Sequence, residues 1–238
     1  MDFHVATFLS GLAYLALCLL AAGARFKMTQ PEPKGHNVPG CLIILPAWLG
    51  IPFGTLPAFI PTGWSGVATL ICLTASCSYD AGWRVLPVSR FQAPLRLGLA
   101  LAACAWHARQ RGVPGDLLSL DTYVAMPLAG VTEGAISMMG LALLGLGSLP
   151  LGGGVAADRQ ESLRHLAGLA VWICLFLPAC PARDLGLAGL PGFAVDGLYF
   201  WVKILLMDYV LRVATLGAPQ CLPAIQTGFV CAGVLLLC

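Results

Sequence analysis

The chain has 238 residues, of which 58% are hydrophobic and only 10% charged, with a mean hydropathy of +0.85. Soluble domains carry about 25% charged residues, so this composition argues against an ordinary water-soluble enzyme and for an integral membrane protein. A net charge of +2 offers no polycationic surface for nucleic acid.

Apolar stretches of roughly 17–25 residues, taken in chain order, are the candidate spans. The first is His4–Ala24, closed by Arg25 and Lys27. Its opening residues lack the basic segment and small-residue cleavage site of a secretory leader, so insertion without a leader, or after its removal, is expected. A polar, proline-rich loop (Met28–Gly40) leads to Cys41–Ile60, which is apolar but interrupted by Pro46, Pro52 and Pro57. This reads as a broken or re-entrant element, tolerable at membrane depth only when packed in protein or lining a cavity. Trp64–Tyr79 follows, with Asp80, Arg84 and Arg90 marking a polar connection. Pro94–Trp106 is a short span that runs into His107, Arg109 and Arg111.

Beyond the loop Gly112–Asp121, Thr122–Leu149 is a long apolar run containing one charge, Glu133. After the glycines Gly152–Gly154 and the polar turn Ala157–His165, a span covers Leu166–Pro181. Gly197–Pro219 and Leu222–Cys238 complete the set. The expectation is an all-α, polytopic transmembrane helix bundle of seven or eight membrane elements, one domain over residues 1–238. The runs are continuously apolar, whereas a β-barrel needs alternation. Basic residues fall on odd and even loops alike, leaving orientation open.

Charges inside these runs carry the functional signal. Gly197–Pro219, GLYFWVKILLMDYVLRVATLGAP, holds Lys203, Asp208 and Arg212. A charge at a bilayer centre costs roughly 2.5–3.5 kcal/mol even on the lenient scale, so three in one run need protein or water around them. Asp208 and Arg212 share a helix face as an i, i+4 pair, while Lys203 points away and needs a partner from elsewhere. Lys203 and Arg212 lie about 13 Å apart along a helix axis, so snorkelling to the two membrane edges is the bland reading for both.

Glu133 is an intramembrane carboxylate on this reading, by default a proton-relay candidate. Asp80, Asp116 and Asp121 extend it into an acidic chain, although loop carboxylates are more often simply solvated. Arg25, Lys27, Lys34, Arg109 and Arg111 flank polar loops, where they anchor the interface or pair with the loop acids. Ten cysteines sit mostly in apolar runs with no CxxC, as small hydrophobes would. The four histidines are scattered, and no metal-ligand spacing, nucleophile triad or nucleotide fingerprint stands out.

Several of these pieces, in order, resemble one family: the quinone-site membrane subunit, subunit 1, of respiratory complex I (NADH:ubiquinone oxidoreductase). RFKMTQPEPKGHNVPGCLIILPAW is similar to its basic motif followed by Lys-Gly-Pro-Asn-x-Val-Gly and Leu-Leu-Gln-Pro, with Lys34, Gly35, Asn37, Gly40 and Pro46 on matching positions and His36 in place of proline. ASCSYDAG resembles Ala-Gln-x-Ile-Ser-Tyr-Glu, with Asp80 in the glutamate position. RGVPGDL resembles Arg-x-Pro-Phe-Asp-Leu. VTEGAISMMGLALLGLGSLPLGG resembles Ala-Glu-Tyr-x-Asn before an apolar helix, placing Glu133 on the family's membrane glutamate. GLYFWVKILLMDYVLRVAT resembles a Phe-x-x-Lys helix ending in Trp-x-Arg-Ala-Thr, with Lys203 in register and Arg212 three residues early. The family is longer, and its loop after Asp-Leu carries several glutamates where this chain has Ser119 and Asp121.

The resemblance implies a core membrane subunit of a proton-pumping NADH:ubiquinone reductase, not an independent enzyme. Asp80, Asp116, Asp121, Glu133 and Lys203 would lie on the proton path. Arg25, Lys34 and Arg111 would position loops around the quinone. Ubiquinone would be substrate, with FMN and iron–sulfur clusters in partner subunits and no bound cofactor or metal in this chain. Its partners would be the quinone-site peripheral-arm subunits, the antiporter-like membrane subunits and membrane lipids, with no nucleic acid. The location implied is the mitochondrial inner membrane, multi-pass, or else a bacterial inner membrane. Two other readings stand beside it: the homologous subunit of an energy-converting hydrogenase, and a small free-standing secondary transporter. The latter class often shows inverted repeats, which this sequence lacks.

Overall fold

A computed structural model describes residues 38–52, 63–80, 88–151, 159–178, 180–187, 189–215 and 221–237. Arg25, Lys34 and the expected span His4–Ala24 lie outside these residues. The chain is all-α: the described residues form ten helices and no strand. In order they are α1 Val38–Leu49, α2 Ser65–Asp80, α3 Val88–Gln110, α4 Leu120–Ala125, α5 Leu128–Val131, α6 Ala135–Ser148, α7 Arg159–Phe176, α8 Pro181–Asp184, α9 Gly189–Thr215 and α10 Leu222–Leu237.

Helix α7 is the axis of the bundle, touching α1, α2, α3, α4, α5, α6 and α9. Its residues from Leu166 to Leu175 are all buried, including Leu166, Leu169, Ile173 and Cys174. A helix apolar on every side can be stable only inside other protein or lipid, and here protein surrounds it. Helices α2 and α3 run antiparallel, since Gly66 near the start of α2 abuts Leu101 in the second half of α3. The hydroxyl of Ser65 accepts from the Leu120 amide at 3.1 Å, and the Gly66 amide donates to the Leu118 carbonyl at 3.1 Å. These bonds satisfy orphan donors at two helix starts and tie the loop after α3 to the base of α2.

Thr122–Leu149, expected as one apolar span, is instead three helices. Met126 is extended (φ −134°, ψ 90°) because the proline that follows disfavours helical backbone at that position. The chain restarts at Pro127 as α5, ends it at Thr132, and turns at Gly134, whose φ of +88° suits glycine. Glu133 therefore stands in a connection, not within a helix.

Helices α6 and α10 pack backbone to backbone. A Cβ added at Gly147 would lie 2.6 Å from the Val230 nitrogen, and one at Gly233 would lie 2.6 Å from the Leu144 nitrogen. Small residues that admit such approach are the usual device for joining apolar helices that have little hydrophobic drive to associate.

Among the described residues no helix is long and apolar enough to cross a membrane. Helix α9 has the length, 27 residues, but carries Asp196, Lys203, Asp208 and Arg212. Helix α3 has 23 residues but carries Arg90, Arg96 and Arg109. Helix α7 reaches 18 residues and opens on Arg159, Glu161 and Arg164. The expected seven or eight spans are thus not what these helices supply one by one.

Candidate functional site

The charged residues separate to two ends of the bundle. At the first end lie the start of α2, the end of α3, and α4 and α5. Gly112 closes α3 with φ +68°, and the Val113 amide reaches back to the Ala108 carbonyl at 3.0 Å. Arg111 then meets Glu133: its Nη1 lies 3.2 Å from Oε2, and its Nη2 donates to the Glu133 carbonyl at 3.1 Å. The Glu133 side chain is 87% exposed, so the buried carboxylate expected there is replaced by a surface ion pair. Asp116 is exposed, and its carboxylate sits over Gly63. Asp121 begins α4, where its carboxylate accepts from the Ser119 hydroxyl at 3.0 Å. That hydroxyl also caps the helix.

Lys203, expected to need a partner from elsewhere and placed on the proton path with Glu133, does not meet it. The structure gives it other contacts: its Nζ donates to the Leu177 carbonyl at 2.8 Å and stands 4.9 Å from the Tyr199 ring centre. Leu177 follows the last turn of α7, so the cation meets the negative end of that helix dipole. Asp196 also lies close enough to Lys203 for its negative charge to act on the ammonium.

The second end holds a site that loop acids alone did not suggest. Helix α7 starts at Arg159, so the polar turn expected at Ala157–His165 is largely its first two turns. These turns put His165 against α9. Its Nε2 lies 3.1 Å from Asp208 Oδ1, while Asp208 Oδ2 accepts from Arg212 Nε at 3.0 Å and Nη2 at 2.9 Å. The His165 and Asp208 side chains are only 5% and 8% exposed. Asp208, which the sequence explained only as a partner for Arg212, is thus the bridge between two helices. An acid so buried would be costly unless paired and hydrogen-bonded on both oxygens.

Beside this triad is a cavity of about 320 Å³ between α2, α3 and α7. Its apolar wall includes Leu73, Cys77, Ala93, Pro94 and Leu97, and its polar wall is Glu161, Arg164 and His165. Arg164 also donates to the Ser76 carbonyl at 3.2 Å. Asp80 ends α2 one turn beyond Cys77, so its backbone is at this second end, the length of α2 away from Asp116 and Asp121. That length is about 22 Å over fifteen residue steps. The five expected proton-path residues are therefore not brought together: Asp116, Asp121 and Glu133 share the first end, Lys203 lies at the end of α7, and Asp80 stands apart.

Helix α3 carries a buried cation of its own. Arg96 of α3, 7% exposed, donates to the side-chain carbonyl of Gln226 on α10 and, at 2.8 Å, to that of Gln92. Gln226 passes a bond on to the Leu149 carbonyl at 3.0 Å. Both partners of this guanidinium are neutral amides. Among the described residues no group of three histidines, cysteines or acids is placed to hold a metal ion.

Helix α9 buries acids beside Phe200, Trp201, Ile204 and Leu211 and leaves a largely apolar face exposed. Asp196 and Asp208 are buried, whereas Leu198, Val202, Leu205, Leu206, Val210 and Val213 are exposed. On α3 and α10, Arg96, His107 and Gln226 are likewise buried among apolar residues, and Leu95, Leu99, Trp106, Ile225, Phe229 and Leu235 are exposed.

Sequence reasoning missed Arg96, Arg164, His165 and Gln226. The i, i+4 spacing of Glu161 and His165 would have been the signal for helix in that stretch. Compared with known proteins, the chain matches no family, and no curated protein or solved structure shows significant similarity to it.

Proposed function

We propose that the chain is a membrane-embedded core subunit of a proton-pumping NADH:ubiquinone oxidoreductase, housed in a mitochondrial inner membrane. The observation that carries the membrane part is the outer face of α9, where Leu198, Val202, Leu205, Leu206, Tyr209, Val210 and Val213 are exposed while Asp196 and Asp208 are buried. Water rewards the opposite arrangement, and an exposed apolar band of this kind suits acyl chains. The band from Leu198 to Val213 is about 22 Å tall at 1.5 Å per residue, against a hydrocarbon core of about 30 Å. Local thinning, flanking side chains or association with other subunits accommodates such a shortfall.

The respiratory assignment rests on the ordered sequence resemblance and on the charges the bundle keeps. In this reading Arg111 holds Glu133 at the first end, where with Asp116 and Asp121 it faces the quinone-site partners. Lys203 sets the potential at the end of α7, and His165–Asp208–Arg212 holds charge in the interior of the bundle. Flavin and iron–sulfur partners supply the electrons, and this chain orients loops and carries protons.

Isolation of the chain from its native membrane in mild detergent, with mass-spectrometric identification of what accompanies it, tests the proposal. Flavin-binding, iron–sulfur and antiporter-like subunits in one large complex are expected. Nickel–iron hydrogenase subunits in their place would make it the homologous subunit of an energy-converting hydrogenase. A chain that purifies alone and transports a solute would belong to the transporter reading.

A further inference from the structure

One member of the buried His165–Asp208–Arg212 triad also lines a cavity, and the combination is chemically useful. Asp208 Oδ2 takes two charge-assisted bonds from Arg212, and its Oδ1 faces His165 Nε2 at 3.1 Å. A carboxylate held in this way only accepts, so Nε2 carries a hydrogen and donates it. The tautomer is thereby set, and the nitrogen at which His165 gains or loses a proton is Nδ1. His165 stands at the same time in the wall of the cavity between α2, α3 and α7. Its volume of about 320 Å³ far exceeds the roughly 10–15 Å³ that one water needs. Glu161 lies in the same wall and is exposed, so the cavity reaches the surface there. Glu161 precedes His165 by four residues and shares its face of α7.

Among the described residues, the charged and titratable groups about His165 are Glu161 and Arg164 on α7, Asp208 and Arg212 on α9, and Cys77 on α2. Asp80 closes α2 one turn beyond Cys77. The α3 wall offers Ala93, Pro94 and Leu97, none of which titrates, and Arg96 is turned to Gln92 and Gln226. Beyond α6 the wall is Pro150 and Leu151. The charge in direct contact with the imidazole is that of Asp208, so an imidazolium formed there has its counter-ion in place.

We propose that His165 is a proton-binding site loaded from this cavity, with Asp208 as the counter-ion of its imidazolium. A proton brought by hydronium, or by the Glu161 carboxyl group through cavity water, binds Nδ1 and leaves water or carboxylate behind. The reverse step returns it the same way. A proton, unlike a larger ion, needs no vacated position beside side chains that already have other contacts. Asp208 acts through His165 and is a positioning residue. The site puts proton exchange at the end of the bundle opposite Glu133, and its use in coupling rests on the function proposed above.

The test follows exchange of the imidazole C2 hydrogen for deuterium, read histidine by histidine by mass spectrometry, in the chain purified in detergent with the subunits that accompany it. This exchange rises to a plateau as the ring loses its proton, and the plateau reports access of water. His165 is expected to give one sigmoid in the range where imidazole changes charge. Its plateau should stand about tenfold or more above that of His107, which is 2% exposed and bonded at both ring nitrogens. Asp208→Asn keeps the shape of the side chain and should move the His165 midpoint down by about one pH unit or more, since the opposite charge is gone. Ala93→Leu fills the cavity from α3 with a good helix former and should lower the His165 plateau about threefold or more. A rate that does not vary with pH, or a plateau as low as that of His107, overturns the site. So does an unmoved midpoint in Asp208→Asn or an unchanged plateau in Ala93→Leu. Should Asp208→Asn fail to fold, the wild-type profile and Ala93→Leu still decide. Failure of the functional reading looks different. A titrating His165 in a chain that purifies alone, or with nickel–iron hydrogenase subunits, sinks the respiratory assignment only. A flat profile in a chain accompanied by flavin-binding and iron–sulfur subunits sinks the proton site only.

Discussion

Helices α7 and α9 lie against each other, and both read as apolar runs, yet they meet opposite surroundings. From Leu166 to Leu175 α7 is buried on every side by its own protein. Helix α9 turns Asp196 and Asp208 inward and presents leucine and valine outward. Hydropathy therefore marks removal from water without saying what replaces it. For α7 the replacement is seven other helices. For α9 the described helices cover one face, and the membrane reading supplies what lies against the other.

Substitutions on the two helices test that contrast. The largest effect belongs to Ile173→Lys, at a residue with no exposed surface. An unpaired ammonium there costs more than about 4 kcal/mol and should abolish folding, seen as loss of protease-resistant protein. Asp208→Ala strands His165 and Arg212 around an empty position. Removing one partner of a buried pair costs about 3–5 kcal/mol, so a large fall in the melting temperature in detergent is expected. Leu206→Arg decides what lies outside α9. Against lipid it should cost about 2.5–3.5 kcal/mol and reduce the membrane-inserted fraction. A change within about 0.5 kcal/mol, as for an ordinary surface site in water, would break the comparison. Gly147→Ala forces a Cβ onto Val230 and should cost about 1–3 kcal/mol by overpacking, measured by chemical denaturation. Glu133→Gln is the smallest, below about 1 kcal/mol in stability, because its ion pair with Arg111 is exposed. Its informative readout is quinone-coupled proton uptake, which should slow if Glu133 lies on the proton path.

Much of the helical order was legible. Trp64–Tyr79 was expected within one residue of α2, and Leu222–Cys238 within one residue of α10. The Asp208–Arg212 pair follows from i, i+4 spacing and is present at 2.9 Å. The break at Met126–Gly134 was not seen, because a hydropathy window averages across Pro127, Gly130 and Gly134, which interrupt helix without lowering apolar content much. Glu133 was misplaced for the same reason: a charge counted inside a span is in fact at a corner. His165 went unnoticed because polarity at Ala157–His165 was taken for a loop, and because its partner is 43 residues away in the chain. Lys203 was rightly identified as needing a partner. The partner proved to be a backbone carbonyl at a helix end, which no side-chain pattern encodes.

The glycine contact between α6 and α10 has a mechanical consequence. Where two backbones touch, no layer of side chains remains to slide or repack, so the pair moves as a single stiff strut. One end of α10 holds Arg96 through Gln226, and at the other the Leu237 carbonyl lies 3.4 Å from His107 Nδ1. A displacement at the Gln226 end of α10 would therefore be carried along the α6–α10 pair as a unit rather than taken up by side chains between them.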